Sequence, residues 1–183
     1  MNRRHLLLAV LAAAGVQAQP TAPALVEATA RGDLARVRAL IARGDDVNAK
    51  DAKQDSAFLL AGALGHTEIV RATLAAGADL KSTNRYGGTA LIPACHYGHV
   101  DTVRLLLTTA IDVDHVNNLG WTALLEAVIL GDGGPAHTEI VRMLIALKAN
   151  LNLPDKQGVT PLAHARQRGQ TAVVRLLEVA GAR

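Results

Sequence analysis

The sequence predicts an all-α solenoid of helix-turn-helix units, and three observations predict it. The first is a glycine recurring at Gly32, Gly65, Gly98, Gly131 and Gly169, with gaps of 33, 33, 33 and 38 residues. The second is the text around that glycine, which repeats in outline as "ALGHTEIVRATLAAGADLKS", "HYGHVDTVRLLLTTAIDVDH" and "AHTEIVRMLIALKANLNLPD". The third is composition: half of the 183 residues are apolar, yet only four are Phe, Trp or Tyr. Small aliphatic side chains must therefore build the core, which suits thin helices packed closely in a stack. A unit of this size buries its apolar face only against a neighbour, so a fixed period near 33 means a one-dimensional array.

The amino terminus stands apart from the array. Residues 1–18 read as a secretory signal peptide: Arg3 and Arg4 precede an apolar run from Leu6 to Ala14, and Val16-Gln17-Ala18 closes it ahead of Gln19. The run is shorter than the roughly 20 apolar residues that span a bilayer, so no stable membrane insertion is expected after cleavage. The string "NRRHLL" is also similar to a twin-arginine export signal, and both export routes stay open. The expected location is the periplasm or the exterior. Cleavage removes two arginines and no acid, so the formal charge falls from +3 to +1. The remaining Lys and Arg are scattered singly, which argues against a nucleic-acid partner.

Residues 19–24 read as a short flexible lead, and 25–183 as the array. Repeat one, about 25–50, begins directly in its first helix; repeats two and three cover 51–83 and 84–116. Repeat four, 117–154, carries five extra residues, Asp132 to Ala136, read as a lengthened turn between its helices. Repeat five, 155–183, stops as its second helix ends. Ser56, Thr89, Thr122 and Thr160 recur where a first helix should start, so each hydroxyl is expected to accept an unpaired backbone N–H. Second helices should end on a left-handed residue, Gly44 and Gly77 in repeats one and two. The same register puts Ala110 and Lys148 in that conformation, at about 1 kcal/mol each. Arg36 and Glu178 replace apolar residues on the outer faces of the terminal repeats, as capping units require. That predicts an array of five.

The strings "GGTALIPACHYGH" from Gly87, "GWTALLEAVILG" from Gly120 and "GVTPLAHARQRG" from Gly158 resemble the ankyrin repeat. The resemblance covers nearly all of 25–183 and implies two short helices per unit, joined to the next by β-hairpin-like turns. The family's "TPLH" stands here as "SAFL", "TALI", "TALL" and "TPLA". Its His is missing from all four, and so, on this reading, is the polar tie between repeats that it makes.

The resemblance also implies a non-catalytic protein–protein interaction module that meets another protein through its concave face and hairpin tips. Carried over by position, the tips hold Ala52, Lys53 and Asp55; Arg85, Tyr86 and Gly88; Asn118, Leu119 and Trp121; Lys156, Gln157 and Val159. The groove positions of the first helices are Leu60, Ala63 and Leu64; Pro93, His96 and Tyr97; Glu126, Ile129 and Leu130; His164, Gln167 and Arg168. Three of the four aromatics, Tyr86, Tyr97 and Trp121, fall on these positions, and Phe58 alone on a core position. Aromatic anchors within an apolar patch characterise interface centres. The candidate binding residues are therefore Tyr86, Tyr97, Trp121, Leu64, Leu119, Ile129, Leu130 and His96.

The alternative is a metal-binding or enzymatic periplasmic protein using Cys95, His96 and His99, the string "CHYGH". It offers three ligands where a structural zinc site takes four. The register turns Cys95 inward as a small buried filler and His96 toward the groove, while His66, His99 and His137 hold the family's Gly-His step. Cys95 is the one cysteine, so no internal disulfide forms. No Gly-x-Ser-x-Gly elbow, phosphate-binding Gly-Lys-Ser/Thr loop or zinc-protease helix occurs. "GDGGP" at Gly131 to Pro135 lacks the Lys and hydroxyl that would hold phosphate. No catalytic residue, cofactor or metal is expected.

Overall fold

The computed structural model describes residues 23–183, so the expected signal peptide and most of the expected 19–24 lead lie outside the described residues. Ten α-helices follow in order: α1 (Ala24–Ala30), α2 (Leu34–Arg43), α3 (Ala57–Leu64), α4 (Thr67–Ala75), α5 (Leu91–His96), α6 (Val100–Leu106), α7 (Ala123–Ile129), α8 (Pro135–Ala146), α9 (Pro161–Gln167) and α10 (Thr171–Val179). They pair within repeats and stack in two rows. The first helices, α1, α3, α5, α7 and α9, pack each on the next, and so do the second helices, α2 to α10. The core runs unbroken between the rows through Val37, Leu40, Phe58, Val70, Leu91, Val103, Leu124, Ile140, Leu144 and Leu177. Phe58 is buried, as its register predicts. Gly62 lets α3 approach α5, because a Cβ there would lie 2.8 Å from the Ala90 carbonyl oxygen.

No strand is present among the described residues. Each tip is instead a five-residue loop closed by backbone bonds from Asp51 N–H to Asp55 O, Asn84 to Gly88, Asn117 to Trp121 and Asp155 to Val159, all at 3.0 Å. In each, the fourth residue's N–H also bonds the first residue's carbonyl, at 2.9–3.0 Å. The opening Asp or Asn holds the loop a second time. Its Oδ1 accepts the N–H groups two and four residues on, at 2.8–3.1 Å in all four loops. The fourth loop residue has positive φ, with Gly87, Gly120 and Gly158 there and Gln54 at φ +63°.

Several expectations need correction. Ser56, Thr122 and Thr160 cap their helices, accepting from Leu59, Leu125 and Ala163 N–H. Thr89 does not: α5 starts beyond it with Ala90 as cap residue, and the buried Thr89 hydroxyl has no partner. The cause is Pro93. The residue at its position donates to the cap carbonyl in the other three repeats, Leu60 to Ser56, Glu126 to Thr122 and His164 to Thr160, and proline has no N–H to give.

Lys148 is left-handed, at φ +59°, but Ala110 is not. Repeat three ends its second helix early, at Leu106, and Thr109 turns the chain. Its N–H bonds Leu106 O, and its hydroxyl both donates to that carbonyl and accepts the Ile111 N–H. The hydroxyl thus satisfies the amide that a left-handed residue would have aimed at the helix.

The Asp132–Ala136 segment is only partly a turn. Pro135 and Ala136 already belong to α8, which therefore begins ahead of His137, whereas α4 and α6 begin after His66 and His99. Asp132 fastens the remainder, accepting the Gly134 N–H and facing His137 Nδ1, both at 2.8 Å. These contacts hold its carboxyl below the usual range, the Gly134 bond first.

Polar ties between repeats also exist, made by other residues than the missing family His. His99 Nε2 lies 3.1 Å from Ala63 O, His137 Nε2 lies 2.8 Å from His96 O, and Gln170 Nε2 donates to Val128 O at 2.9 Å. Each reaches a carbonyl near the end of the preceding repeat's first helix, where the helix has no further N–H to offer. Arg36 and Glu178 are exposed on the terminal units, and Arg166 pairs with Glu178 at 2.6 Å.

Candidate functional site

A groove of about 360 Å³ opens on the concave side, over α5 and α7 and beneath the second and third tips. Of the sequence candidates it gathers Tyr86, Tyr97, His96, Leu119 and Leu130. Tyr97 is 59 % exposed and Tyr86 50 %, unusual values for aromatics in a chain with so few. His96 stacks on Tyr97 with ring centroids 4.1 Å apart, and the Arg85 guanidinium lies 4.5 Å over the Tyr86 ring. Trp121, Leu64 and Ile129 do not line the groove. The register that placed three aromatics on one patch thus joins only the two tyrosines. Trp121 is half-buried, with its backbone bound at both ends to Asn117.

The floor holds a residue whose chemistry the sequence reading passed over. Glu126 falls on a groove position, as its register predicts, but it is only 6 % exposed. Its Oε1 accepts from Asn117 Nδ2 at 3.1 Å, and its Oε2 faces His96 Nδ1 at 3.5 Å. The second contact is too long for a hydrogen bond. Burial pushes the Glu126 carboxyl up to about 7, against the smaller downward pull of Asn117. Burial, and then the charge of His137, hold His96 below its ordinary value.

The loop chemistry explains why an acid stands here. Asn117 commits its Oδ1 to the Leu119 and Trp121 N–H groups, so only its amide N–H faces α7. Repeat five shows the converse at the same register: Asp155 commits Oδ1 to Gln157 and Val159 N–H, and Oδ2 accepts from His164 Nε2 at 2.7 Å. Those backbone donors, Val159 foremost, with His164 keep Asp155 below the usual carboxylate range. A polar residue nine positions after the loop-opening Asn or Asp was the available signal. It is visible in repeats four and five and absent from two and three, where Leu60 and Pro93 stand.

Asp55, on the opposite wall, is partly buried, and its carboxyl is pushed up by that burial and by Asp51. Arg85 lies 3.9 Å from it. The Cys95, His96 and His99 set does not converge. Cys95 is fully buried, with burial pushing its thiol up. His96 turns to Glu126, and His99 turns to the Ala63 carbonyl. Among the described residues no three His, Cys, Asp or Glu side chains meet where one metal ion could be held. The arrangement suits recognition: aromatic and aliphatic walls, one guanidinium at the rim and one desolvated carboxylate beneath.

Comparison with known proteins accords with this geometry. A family model described as ankyrin repeats (3 copies) matches residues 25–117, 58–153 and 110–182. Over 57 residues the chain is 46 % identical to an ankyrin repeat protein, YahD, of Escherichia coli (strain K12). That match covers 31 % of this chain and 28 % of the relative. The crystal structure of an ankyrin repeat domain from Acinetobacter baumannii AYE is 57 % identical, with a TM-score of 0.85 over 87 % of this chain and 81 % of that one. The ankyrin repeat protein EF0377 is 40 % identical, with a TM-score of 0.82 over 87 % and 80 % of the two chains.

Proposed function

The chain belongs to the ankyrin repeat family, and we propose on that premise that it is a non-catalytic binding protein of the bacterial envelope that holds one partner protein in its concave groove. Ankyrin repeats are generally protein-interaction modules, and no catalytic family is indicated. The observation that carries the reading is Tyr97, half-exposed on a groove it shares with Tyr86, Leu119 and Leu130. Exposed aromatics around a concavity supply large contact area at small entropic cost, as interface anchors do. The envelope part of the proposal rests on Arg3, Arg4, the apolar run and Val16-Gln17-Ala18.

Affinity capture from periplasmic extract, followed by binding of the captured partner to variants, tests the first part. Tyr97→Ala should weaken the complex roughly thirtyfold, the order of a truncated anchor. Lys53→Ala, at an outlying tip, should change it less than about twofold, as rim charges often do. Normal binding by Tyr97→Ala would move the interface away from the groove. Mass measurement of protein from the envelope should give a chain starting at Gln19. An intact Met1 in the cytoplasm would overturn the export reading.

A further inference from the structure

We propose that the groove takes the ammonium of one lysine side chain presented by the partner, seated on Glu126 Oε2 with Tyr86 and Tyr97 as walls. The inference rests on the reading that this groove binds a protein, and it names the chemistry the partner must bring.

Three observations converge on a cation. Glu126 is more than nine-tenths buried yet lines an open groove, and its Oε2 has no hydrogen-bond donor among the described residues, His96 standing at 3.5 Å. Asn117 satisfies Oε1 alone, so Oε2 is the acceptor left open to the groove, and an incoming N–H donor gives it a charge-assisted bond in a largely buried setting. Once Glu126 has ionised, above about pH 7, the groove's own charges leave an excess of acid: Asp55 and Glu126 line it against the single guanidinium of Arg85. Arg85 is engaged with Tyr86 and Asp55, which leaves Glu126 as the uncompensated group. The remaining walls are aliphatic and aromatic, and the exposed tyrosine rings attract cations through the ring quadrupole, as the Arg85 guanidinium 4.5 Å over Tyr86 illustrates.

The same geometry selects lysine over arginine. A guanidinium fork gains most from both oxygens of a carboxylate, and Oε1 is already taken by Asn117. An ammonium is a point charge that one oxygen satisfies, while its apolar stem lies along Leu119 and the tyrosine rings.

The test titrates three capped pentapeptides, Gly-Gly-X-Gly-Gly with X as lysine, arginine or norleucine, into isotopically labelled full array, alongside n-butylammonium. The readout is the amide and side-chain resonances of His96, Tyr97, Asn117 and Glu126. The lysine peptide should shift these saturably, with millimolar affinity, and bind several-fold tighter than the arginine peptide. Norleucine should leave them unmoved. Glu126→Gln, which keeps an acceptor for Asn117 but removes the charge, should weaken the lysine peptide about tenfold. Absence of localised shifts at about 10 mM lysine peptide overturns the proposal. So does equal binding by Glu126→Gln, or by norleucine. Butylammonium binding as tightly as the peptide would make this a small-cation site and overturn the partner assignment. With the captured partner the two readings separate. Loss by Tyr97→Ala with full binding by Glu126→Gln sinks the lysine seat and keeps the protein-binding groove. Normal binding by Tyr97→Ala sinks the groove itself.

Discussion

Lys148 sits at φ +59°, where repeats one, two and five hold Gly44, Gly77 and Gly181, and Gln54 sits at φ +63°, where repeats three to five hold Gly87, Gly120 and Gly158. A side chain in the left-handed region brings Cβ against the following carbonyl, at about 1 kcal/mol per residue. Neither side chain makes a hydrogen bond or ion pair among the described residues to offset that strain. Lys148→Gly and Gln54→Gly should therefore each raise stability, by up to about 1 kcal/mol less the added freedom of the unfolded chain. Thermal melting checks this, and about 2 °C per substitution is the expected scale for an array of this size. Ala110→Gly is the contrast. Ala110 lies outside the left-handed region and the Thr109 hydroxyl already binds the Ile111 N–H, so only the unfolded chain gains freedom and melting should fall slightly. A rise in Ala110→Gly would show that the Thr109 turn is strained.

At the level of the element, repeat three shows how one proline alters a helix start. Pro93 removes the N–H that would bond the cap carbonyl, α5 begins late, and the Thr89 hydroxyl is left buried without a partner. An unpaired buried hydroxyl contributes nothing that an apolar group of the same shape would not. Thr89→Val should thus be neutral or stabilising, whereas Thr122→Val, which removes the bond from Leu125 N–H, should cost about 1 kcal/mol. Equal losses in denaturant unfolding would mean that Thr89 caps after all. Such details mark where the sequence stops being legible. The 33-residue period carried the helix pairs, the rows and the core, because each follows from stacking identical units. Register also placed Tyr86, Tyr97 and Glu126 on the groove, since position in a repeat determines position on the solenoid. It left out what depends on a single neighbour: the missing amide of Pro93, the replacement bond of Thr109, and the loop chemistry that aims Asn117 at Glu126. Trp121 shows the same limit, for a tip position fixes where the backbone goes and leaves open whether the indole faces the groove.

Across the whole molecule, repeats contact only their neighbours, so an event at one junction is felt by the array through that junction. Glu126 lies at such a junction, on α7 of repeat four, facing His96 on α5 of repeat three and taking the Asn117 amide from its own loop. Burial raises its carboxyl from an ordinary 4.5 to about 7 in the folded array. Between those values the folded chain holds a proton that the unfolded chain has released. Unfolding then sheds protons, so stability falls as pH rises through the window and levels off once the folded group has ionised. The sign is opposite to that of Asp155, whose lowered carboxyl adds stability that is lost in acid. Glu126→Gln keeps the bond from Asn117 and removes the titration. The difference in melting temperature between the wild-type array and Glu126→Gln isolates the effect, because groups remote from the junction titrate in both. His96, 3.5 Å away, responds to the substitution and is followed separately by its ring resonances. The wild type should lose ground steadily to Glu126→Gln from about pH 5 to about pH 7, with little further change by about pH 8. A difference that stays flat over that range would show that Glu126 is as well solvated folded as unfolded. A wild type that instead gains on Glu126→Gln as the pH rises would mean that its ionised form is stabilised in the groove.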